Sequence, residues 1–407
     1  MTGETALLSS LPARKADAGE ATAGAGVAGA AFTVTATQRI EDVEAVWRAL
    51  EAEGVESPGQ NYDFIRLWVR ERGIPQHNQL YLVGSLGGVP LALIALQRRQ
   101  RFGISVMTWF PGAHVGCLAP LVDREGVAAL GPEGRRALWS AMMGQVSGAD
   151  AVYLRAVPQE SDGFSGLFDE LGSAVAVDTL YRGRFASWEE CDRLQRSRTR
   201  RKHDRQQSER LAALGSVDFD EMRNGEDIGE AIATMFRHRS ARFKQMGIRD
   251  TFALGNIAAF YRAALAPDSG VDVRLHVLRL DGEIVATRYN IVHGDRMFCL
   301  ISSMSDDPDI QAGSPGKQCL LRVMQSVFDA GMRVFDMGAG LTDEKRHWCN
   351  EQIVLRQHYV ALTWRGRIAA AAHQRFQAAR ARMKADRRFL TLRRTLGKVL
   401  NRKSWQG

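Results

Sequence analysis

Residues 271–348 constrain the fold of this chain more than any other stretch, because elements of different hydrophobic periodicity follow one another there. Apolar residues alternate with polar ones around Asp281-Gly282, which predicts a β-hairpin. A further strand over 297–304 precedes a helix over 317–331, and a short buried strand at Val334–Phe335 follows the helix. Hairpin, strand, helix and strand in this order predict an α/β fold.

The composition is that of a soluble globular protein. The 407 residues are 45% apolar and 25% charged, and this length indicates two domains or three. No run approaches the ~20 apolar residues that span a bilayer, and the N-terminus lacks the basic and apolar regions of a secretory signal. Five cysteines are scattered without a CxxC pair, so neither a disulfide framework nor a metal site is expected. We therefore expect a cytoplasmic protein with no metal.

The net charge of +8 is distributed unevenly along the chain. Residues 365–403 contain thirteen Lys or Arg and one acid, Asp386, so this segment is strongly basic while the rest is weakly acidic. Apolar residues lie among its arginines, which is typical of a basic amphipathic helix. Such a helix would suit the anionic inner face of a membrane, and it could equally pack on the core or pair with another subunit.

The chain divides into four segments. Residues 1–30 are rich in Ala and Gly without any period, so we expect them to be disordered. An N-terminal domain over 31–190 and a C-terminal domain over 191–365 follow. Residues 366–407 form the basic helical tail.

The two domains share a local signature. The heptapeptide Leu86–Ala92 matches Leu280–Ala286 in residue type at an offset of 194 residues. The predicted elements around both heptapeptides also come in the same order, which favours an internal duplication. A short strand is expected at Ala174–Val177, and a long final strand is expected at Ile353–Trp364.

Three pieces of sequence then carry a resemblance to a known family. They are the basic helix Arg196–Arg205, the hairpin heptapeptide Leu280–Ala286, and Ser314-Pro-Gly316 before a helix followed by Gly331, Phe335-Asp-Met-Gly-Ala-Gly340 and Glu344-Lys345. With these, residues 196–349 resemble the second domain of the GNAT-fold acyltransferases called BioF2-like or CelD-like (cellulose-biosynthesis CelD) proteins, which are relatives of FemAB. The family usually has Tyr-Lys where this chain has Glu344-Lys345, which bears on any role that needs a phenol there.

The resemblance implies tandem GNAT-like (acyl-CoA N-acyltransferase) domains with mixed central sheets. It also implies that acetyl-CoA or another acyl-CoA binds as co-substrate. Its pyrophosphate would lie on backbone amides at Gly316, Lys317 and Gln318, where a glycine-bearing turn opens a helix. Backbone N–H groups at Ser302, Ser303 and Met304 would polarise the thioester carbonyl. The alternative for the turn is an ordinary Pro-Gly cap on a core helix.

Five further residues are candidates for chemistry. Arg288 lies in a predicted strand on the opposite face from its neighbour Tyr289, and we assign substrate binding to both. Asp336 follows a buried strand, where it could orient an amine or act as general base. Glu344 and Lys345 could share proton transfer and bind an anion. The competing interpretations are a snorkelling arginine, a turn cap at Asp336 and a solvated charged turn at 343–347.

The sequence therefore predicts an acyl-CoA-dependent N-acyltransferase that acts on an amine of a small molecule, a sugar or an envelope polysaccharide precursor. One alternative is a FemAB-like transferase that uses aminoacyl-tRNA, with Arg196–Arg205 as the RNA contact. Another is a catalytically inactive GNAT-fold accessory protein of polysaccharide export. Other nucleic-acid binding is less favoured, because no aromatic residues lie within the basic cluster.

Overall fold

The computed structural model describes residues 31–223, 228–247, 250 and 257–385. The predicted disordered segment 1–30 and the part of the basic tail beyond Ala385 lie outside the described residues. The strands are β1 Phe32–Thr37, β2 Gln79–Leu86, β3 Val89–Arg101, β4 Ile104–Thr108, β5 Leu121–Val122, β6 Ala151–Pro158, β7 Glu160–Ser161, β8 Phe164–Ser165, β9 Ser173–Arg184, β10 Val217–Met222, β11 Asp272–Leu280, β12 Glu283–His293, β13 Arg296–Met304, β14 Val334–Ala339 and β15 Glu351–Ala361.

Helices cover both halves of the described chain. They are α1 Glu44–Glu51, α2 Tyr62–Glu71, α3 Arg124–Ala129, α4 Gly131–Gly144, α5 Trp188–Gln195, α6 Arg198–Ala212, α7 Ile228–Gln245, α8 Ile257–Ala263, α9 Pro308–Ala312, α10 Pro315–Asp329, α11 Asp343–Trp348 and α12 Trp364–Ala385. Within the described ranges, no helix combines the length and the apolar character needed to cross a bilayer.

The sheet is mixed, as predicted, but it is continuous through both halves. Its order is β1-β2-β3-β4-β6-β15-β9-β14-β13-β12-β11-β10, with β5 beside β3, which makes thirteen strands among the described residues. The α/β class is therefore confirmed. The domain boundaries of the sequence analysis remain a prediction, because the strands of the two halves interleave at the centre of this sheet.

The two halves of the sheet repeat one pattern. Strands β1 to β4 form an antiparallel meander, β4 and β6 are parallel, and β6 then pairs antiparallel with β15. Strands β10 to β13 form the same meander, β13 and β14 are parallel, and β14 pairs antiparallel with β9. Each half thus donates its last strand to the other half. This repetition supports the internal duplication.

The matching heptapeptides form matching hairpins. Leu86 pairs with Val89 across Gly87-Gly88, and Leu280 pairs with Glu283 across Asp281-Gly282. All four turn residues have positive φ, as a type I′ turn requires. Both predicted hairpins are confirmed.

Some predicted boundaries were wrong. Strand β9 extends from Ser173 to Arg184 rather than over 174–177, because it is hydrogen-bonded to β15 along one edge and to β14 at its end. The last strand ends at Ala361, and Trp364 begins α12 instead of ending the strand. There the Thr363 hydroxyl accepts the Gly366 N–H, which caps the new helix.

Helix α10 covers the C-terminal half of the sheet with the apolar stripe predicted from the sequence. The stripe is fully buried and comprises Cys319, Leu320, Val323, Met324, Val327 and Phe328. It packs against residues of β11, β12, β13 and β14 in one core cluster. The far face of the same strands packs against α7 and α8, which completes a three-layer arrangement.

Candidate functional site

Strands β13 and β14 separate after a short parallel ladder. They pair at Arg296↔Val334, Met297↔Phe335 and Phe298↔Asp336, and β13 then continues to Met304 without β14 beside it. A cleft of about 350 Å³ opens where the two strands diverge. Its polar lining comprises Arg239, Arg288, Ser302, Asp336, Thr342, Glu344 and Lys345.

The N-terminal half closes one side of this cleft through a contact between two glycines. Gly116 has φ of +78°, and a Cβ built on it would lie 3.3 Å from the Cα of Gly338. Gly338 also has φ of +78°, so both positions favour glycine for conformational as well as steric reasons. Gly338 was predictable from the sequence but Gly116 was not, because nothing in the local pattern of Gly116 points to a partner 222 residues away.

Asp336 lies in the cleft wall with both carboxylate oxygens engaged. Oδ2 accepts Arg182 Nε at 2.7 Å, and Oδ1 accepts the Gly338 N–H at 2.7 Å. The residue is 4% exposed. These donors hold the carboxylate as a fixed acceptor, so the predicted role in orienting an amine fits better than the predicted role of general base.

Arg182 belongs to a buried charge network that the sequence analysis missed. Its Nη1 lies 2.7 Å from Glu56 Oε2, and its Nη2 donates to the Glu56 carbonyl at 2.9 Å. Arg296 Nη1 approaches the same Glu56 oxygen at 3.5 Å, while the Ser161 hydroxyl donates to Oε1 at 2.8 Å. Burial opposes ionisation of Glu56, but the charges of Arg182 and Arg296 outweigh it and lower the pKa of Glu56 to about 2. We call Glu56, Arg182, Arg296 and Asp336 the Glu56 network.

Helix α11 brings Glu344 and Lys345 to the cleft. The Thr342 hydroxyl accepts the Lys345 N–H and caps the helix. Lys345 Nζ donates to the carbonyls of Gly338 at 3.1 Å and Ala339 at 2.6 Å, so it is fixed beside Asp336. Burial lowers the pKa of Lys345, and the nearby Asp336 carboxylate opposes this effect. Glu344 is exposed to solvent on one side and lies 3.5 Å from Arg288.

Arg288 is a buried cation in the same cleft, on the face of β12 where the sequence predicted it. Its Nη2 donates to the Gly316 carbonyl at 3.1 Å, and its Nη1 lies 3.7 Å from Cys299 Sγ. Among the described residues, its buried Nε has no hydrogen-bond partner. Because an unmet buried donor is costly, this guanidinium is suited to an anionic or carbonyl group of a ligand.

Tyr289 does not share this site. Its ring packs on Tyr261 on the other face of the sheet, and its hydroxyl donates to the Tyr261 carbonyl at 3.1 Å. The side chain is fully buried. The assignment of Tyr289 to substrate binding is therefore not retained for this cleft.

The predicted carbonyl-binding strand segment lies partly in the cleft. Ser302 lines it, whereas Ser303 is buried with its hydroxyl 2.8 Å from that of Thr287. Met304 covers Gly316, since a Cβ on that glycine would lie 3.0 Å from Met304 Sδ. Alternate N–H groups of β13 point toward the side from which β14 has diverged. Binding of a thioester carbonyl by these N–H groups stays a prediction.

The N-terminus of α10 is covered by α6. Lys317 Nζ pairs with Asp204 at 2.5 Å and donates to Gln207 Oε1 at 2.9 Å. Gln207 also donates to the Ser314 hydroxyl, and Gln318 donates to the Asp204 carbonyl. The side chains of Lys317 and Gln318 thus serve the contact with α6. Phosphate binding by the backbone amides of Gly316, Lys317 and Gln318 stays a prediction.

The corresponding gap in the N-terminal half is closed. Strands β4 and β6 pair at Val106↔Ala151 and Met107↔Val152, and Trp109 follows the end of β4. Its indole Nε1 donates to the Arg155 carbonyl of β6 at 3.1 Å, and the side chain is buried. An aromatic side chain therefore bridges the strands where the C-terminal half has its cleft.

In the part of the chain that the structure describes, no three His, Cys, Asp or Glu side chains lie close enough together to form a metal site. Lys345, Arg288, Glu344 and Asp336 instead offer cations and carboxylates to an organic ligand. This set suits binding of a polar carbonyl compound and proton transfer.

Several known structures are similar to this chain at low sequence identity, one of them with a TM-score above 0.5. The C-terminal domain of a proposed lysylphosphatidylglycerol synthetase from Agrobacterium fabrum is 15% identical, with 84% of this chain and 96% of that chain covered and a TM-score of 0.52. FemX is 9% identical, with 80% and 96% covered and a TM-score of 0.49. A tandem GNAT protein from the clavulanic acid biosynthesis pathway is 10% identical, with 81% and 98% covered and a TM-score of 0.38.

Sequence comparison assigns the C-terminal half to a family. A search of curated proteins finds no match. Residues 198–346 match the family model described as an acetyltransferase (GNAT) domain, and this range contains α6, β13, β14 and the whole of α10. The match is confined to this range, so residues 198–346 are similar to an acetyltransferase (GNAT) domain.

Proposed function

We propose that the cleft between β13 and β14 transfers an acyl group from acetyl-CoA or another acyl-CoA to an amine of a small molecule, a sugar or an envelope polysaccharide precursor. The observation that carries this proposal is the divergence of the two parallel strands after Phe298↔Asp336. It opens the family-matched domain at a cleft that is lined by both carboxylates and cations. The BioF2-like or CelD-like group, which the sequence resembles, is the part of the GNAT family to which we assign the chain.

Different groups of the cleft would act at different steps of acyl transfer. The thioester carbonyl would lie along the free side of β13, where backbone N–H groups near Ser302 stabilise the developing oxyanion. The Lys345 ammonium, held by two carbonyls, adds positive charge at that end of the cleft. The amine nitrogen then bonds to the carbonyl carbon, the carbon–sulfur bond breaks, and CoA leaves as the thiolate, which takes up a proton from water to become the thiol.

The amine must lose a proton during the attack. Glu344 is the carboxylate that reaches both the cleft and solvent, so it can accept this proton directly or through water. Asp336 accepts bonds from Arg182 and Gly338 and presents a fixed negative charge that attracts the amine. Glu344 thus takes the position that a tyrosine usually holds in the family resembled.

The acyl end of the donor also needs a group that holds it in the cleft. Arg288 fits this requirement, because it is buried in the cleft wall 3.5 Å from Glu344, with an unmet Nε donor that suits a carbonyl oxygen. The diphosphate of an acyl-CoA lies a whole pantetheine arm away from the thioester, so it would bind elsewhere. We therefore assign Arg288 to the acyl end of the donor, whereas the N-terminus of α10, where α6 covers the side chains, stays the expected site of the diphosphate.

The covered terminus of α10 favours one second candidate, a transferase that draws on aminoacyl-tRNA. Such a donor would not need the helix terminus for a diphosphate. The basic cluster expected to contact RNA is partly neutralised, since Arg196 pairs with Asp192 and Asp204, and Arg205 pairs with Glu209. For this reason acyl-CoA remains the first proposal.

The test is calorimetric titration of the full chain with acetyl-CoA and longer acyl-CoAs, followed by assay of thiol release with a panel of amines. Arg288→Met should abolish binding, because it removes the buried cation of the cleft. Arg346→Met is the matched control, since Arg346 lies on the same helix as Glu344 but is largely exposed and outside the cleft.

The outcomes separate the candidates. Binding that is lost in Arg288→Met and kept in Arg346→Met supports acyl-CoA as donor. No binding of any acyl-CoA overturns that donor, and transfer from charged tRNA then decides for the second candidate. Binding without turnover on any amine would indicate the inactive accessory role that the sequence also allowed.

A further inference from the structure

Helix α12 packs against the sheet through one face only. Gly366 lies so close to the Asp150 carbonyl that a Cβ on it would be 1.8 Å from the oxygen. About two turns further along the helix, His373 Nδ1 lies 2.9 Å from the Tyr359 hydroxyl, and Gln374 donates to the Ser173 hydroxyl at 2.9 Å. These contacts fix which face of α12 points to solvent.

The solvent face of α12 is both apolar and basic. Trp364 is 71% exposed, Ile368 is 62% exposed and Phe376 is 59% exposed. Exposed arginines lie between them at 365, 367 and 375. The sequence of α12 contains no Asp or Glu, so nothing on the helix neutralises this charge.

The β3–β4 hairpin extends the same surface. Phe102 at its tip is 92% exposed and has a left-handed φ of 51°. The guanidinium of Arg101 lies 5.5 Å from the centre of its ring. Arg365 joins hairpin and helix, because its Nη2 donates to the Gly103 carbonyl. We call Arg101, Phe102, Trp364, Arg365 and Ile368 the hairpin–helix patch.

We propose that the hairpin–helix patch docks this protein on an anionic lipid surface. Phe102, Trp364 and Ile368 enter the boundary between headgroups and acyl chains, and the arginines pair with lipid phosphates. Exposed aromatic side chains separated by cations match this environment, because aromatic rings favour the interface between membrane and water and arginine binds phosphate with two N–H groups.

Charge complementarity selects the lipid surface over the other occupants. The sequence of α12 and of the hairpin turn adds arginines without a carboxylate, and residues 386–407 continue with seven Lys or Arg and one acid. A second copy of this chain would bring the same positive charge to the patch and be repelled. The inference does not rest on the proposed acyl transfer, because no residue of the patch lines the cleft.

The experiment measures cosedimentation of the full chain with vesicles of phosphatidylcholine alone and with vesicles of equal parts phosphatidylcholine and phosphatidylglycerol. The variant Phe102→Ser/Trp364→Ser removes the two aromatic anchors. Val89→Ser is the matched control, because Val89 is 59% exposed at the opposite end of β3. Arg367→Glu/Arg375→Glu tests the charge without touching the aromatic rings.

We expect the wild type and Val89→Ser to bind the anionic vesicles only, and binding to weaken as salt rises. The partition coefficient should fall about tenfold or more in each double variant, in keeping with the loss of one or more buried side chains or of two charges near the surface. Circular dichroism checks that each variant keeps the fold.

Any of three results overturns the proposal. The first is equal partition of the wild type and the Phe102→Ser/Trp364→Ser variant. The second is a wild-type dimer that this double variant dissociates, in a protein that does not bind the vesicles, since that result would assign the patch to a second copy. The third is equal binding to neutral vesicles, which would remove the role given to the arginines.

Discussion

Replacing Glu56 with glutamine should destabilise the protein strongly, although Glu56 lies outside the candidate cleft. The residue is 1% exposed, and three cations surround its carboxylate. They are Arg182 at 2.7 Å, Arg296 at 3.5 Å and Arg124 at 3.6 Å. Glutamine keeps the shape but removes the charge, so that, among the residues the structure describes, Arg182 retains only Asp336 as an ionic partner.

Two lines of reasoning give the expected loss of unfolding free energy in Glu56→Gln. Removing one partner of a buried ion pair costs about 3–5 kcal/mol, because the remaining charge stays buried without compensation. The lowering of the Glu56 pKa from 4.5 to about 2 corresponds to about 3 kcal/mol at about 1.4 kcal/mol per pKa unit. We therefore expect Glu56→Gln to lower the free energy of unfolding at pH 7 by about 3 kcal/mol.

The pH dependence gives the sharper test. The folded pKa of Glu56 lies below its unfolded value, so the stabilisation is complete above pH of about 4.5 and is lost as the pH falls toward about 2. Urea unfolding followed by circular dichroism would measure wild type and Glu56→Gln at several pH values. Other carboxylates titrate in both proteins, so the difference between the two curves isolates Glu56.

The control is Glu209→Gln, because Glu209 forms an exposed ion pair with Arg205. Exposed pairs contribute little, so this variant should unfold close to the wild type at every pH. A loss of less than about 1 kcal/mol in Glu56→Gln at pH 7 would refute the account of the Glu56 network. So would a loss that stays constant between pH 7 and pH 3.

Three further predictions concern the cleft and its counterpart. Lys345→Met should lower the rate of acyl transfer at least tenfold. The wild-type rate should decline as the pH rises through the lowered pKa of Lys345. In Lys345→Arg, a pH–rate profile should show this decline at higher pH. Gly116→Ala should lower both thiol release and the melting temperature, since it adds a methyl group 3.3 Å from Gly338 at a positive φ. Trp109→Ala should cost about 3–5 kcal/mol in urea unfolding but leave the Michaelis constant for the donor unchanged, because Trp109 fills the closed gap of the N-terminal half.

The elements with a strong local signal were predictable from the sequence. The Asp281-Gly282 turn and the stripe of α10 each depend on neighbours within a few residues, and both are found where expected. The long strand β9 was not predictable, because its exposed residues resemble a loop and its length depends on pairing with β15, which is far away in the chain. The continuity of the sheet escaped prediction for the same reason.

The cleft shows the same division between local and distant information. Arg288, Ser302, Asp336, Glu344 and Lys345 were all found from the C-terminal sequence, since they lie in or near strands and a helix of one half, and the structure brings them together. The partners that fix them were missed. The Lys317 side chain, for example, pairs with Asp204, and no sequence pattern could have revealed that contact across 113 residues.

The two halves repeat one strand pattern but differ where the cleft lies, and the interleaved strands connect the two sites. In the N-terminal half Trp109 bridges β4 and β6, so that half keeps a packed gap. In the C-terminal half the corresponding strands diverge after Phe298↔Asp336, which leaves Asp336 beside a cleft. A buried carboxylate at an open cleft needs support from elsewhere. Strand β9 provides it, because the donated strand carries Arg182 to Asp336 and links both to Glu56. The closed half thus holds the charged wall of the open one, and neither half would present this cleft alone.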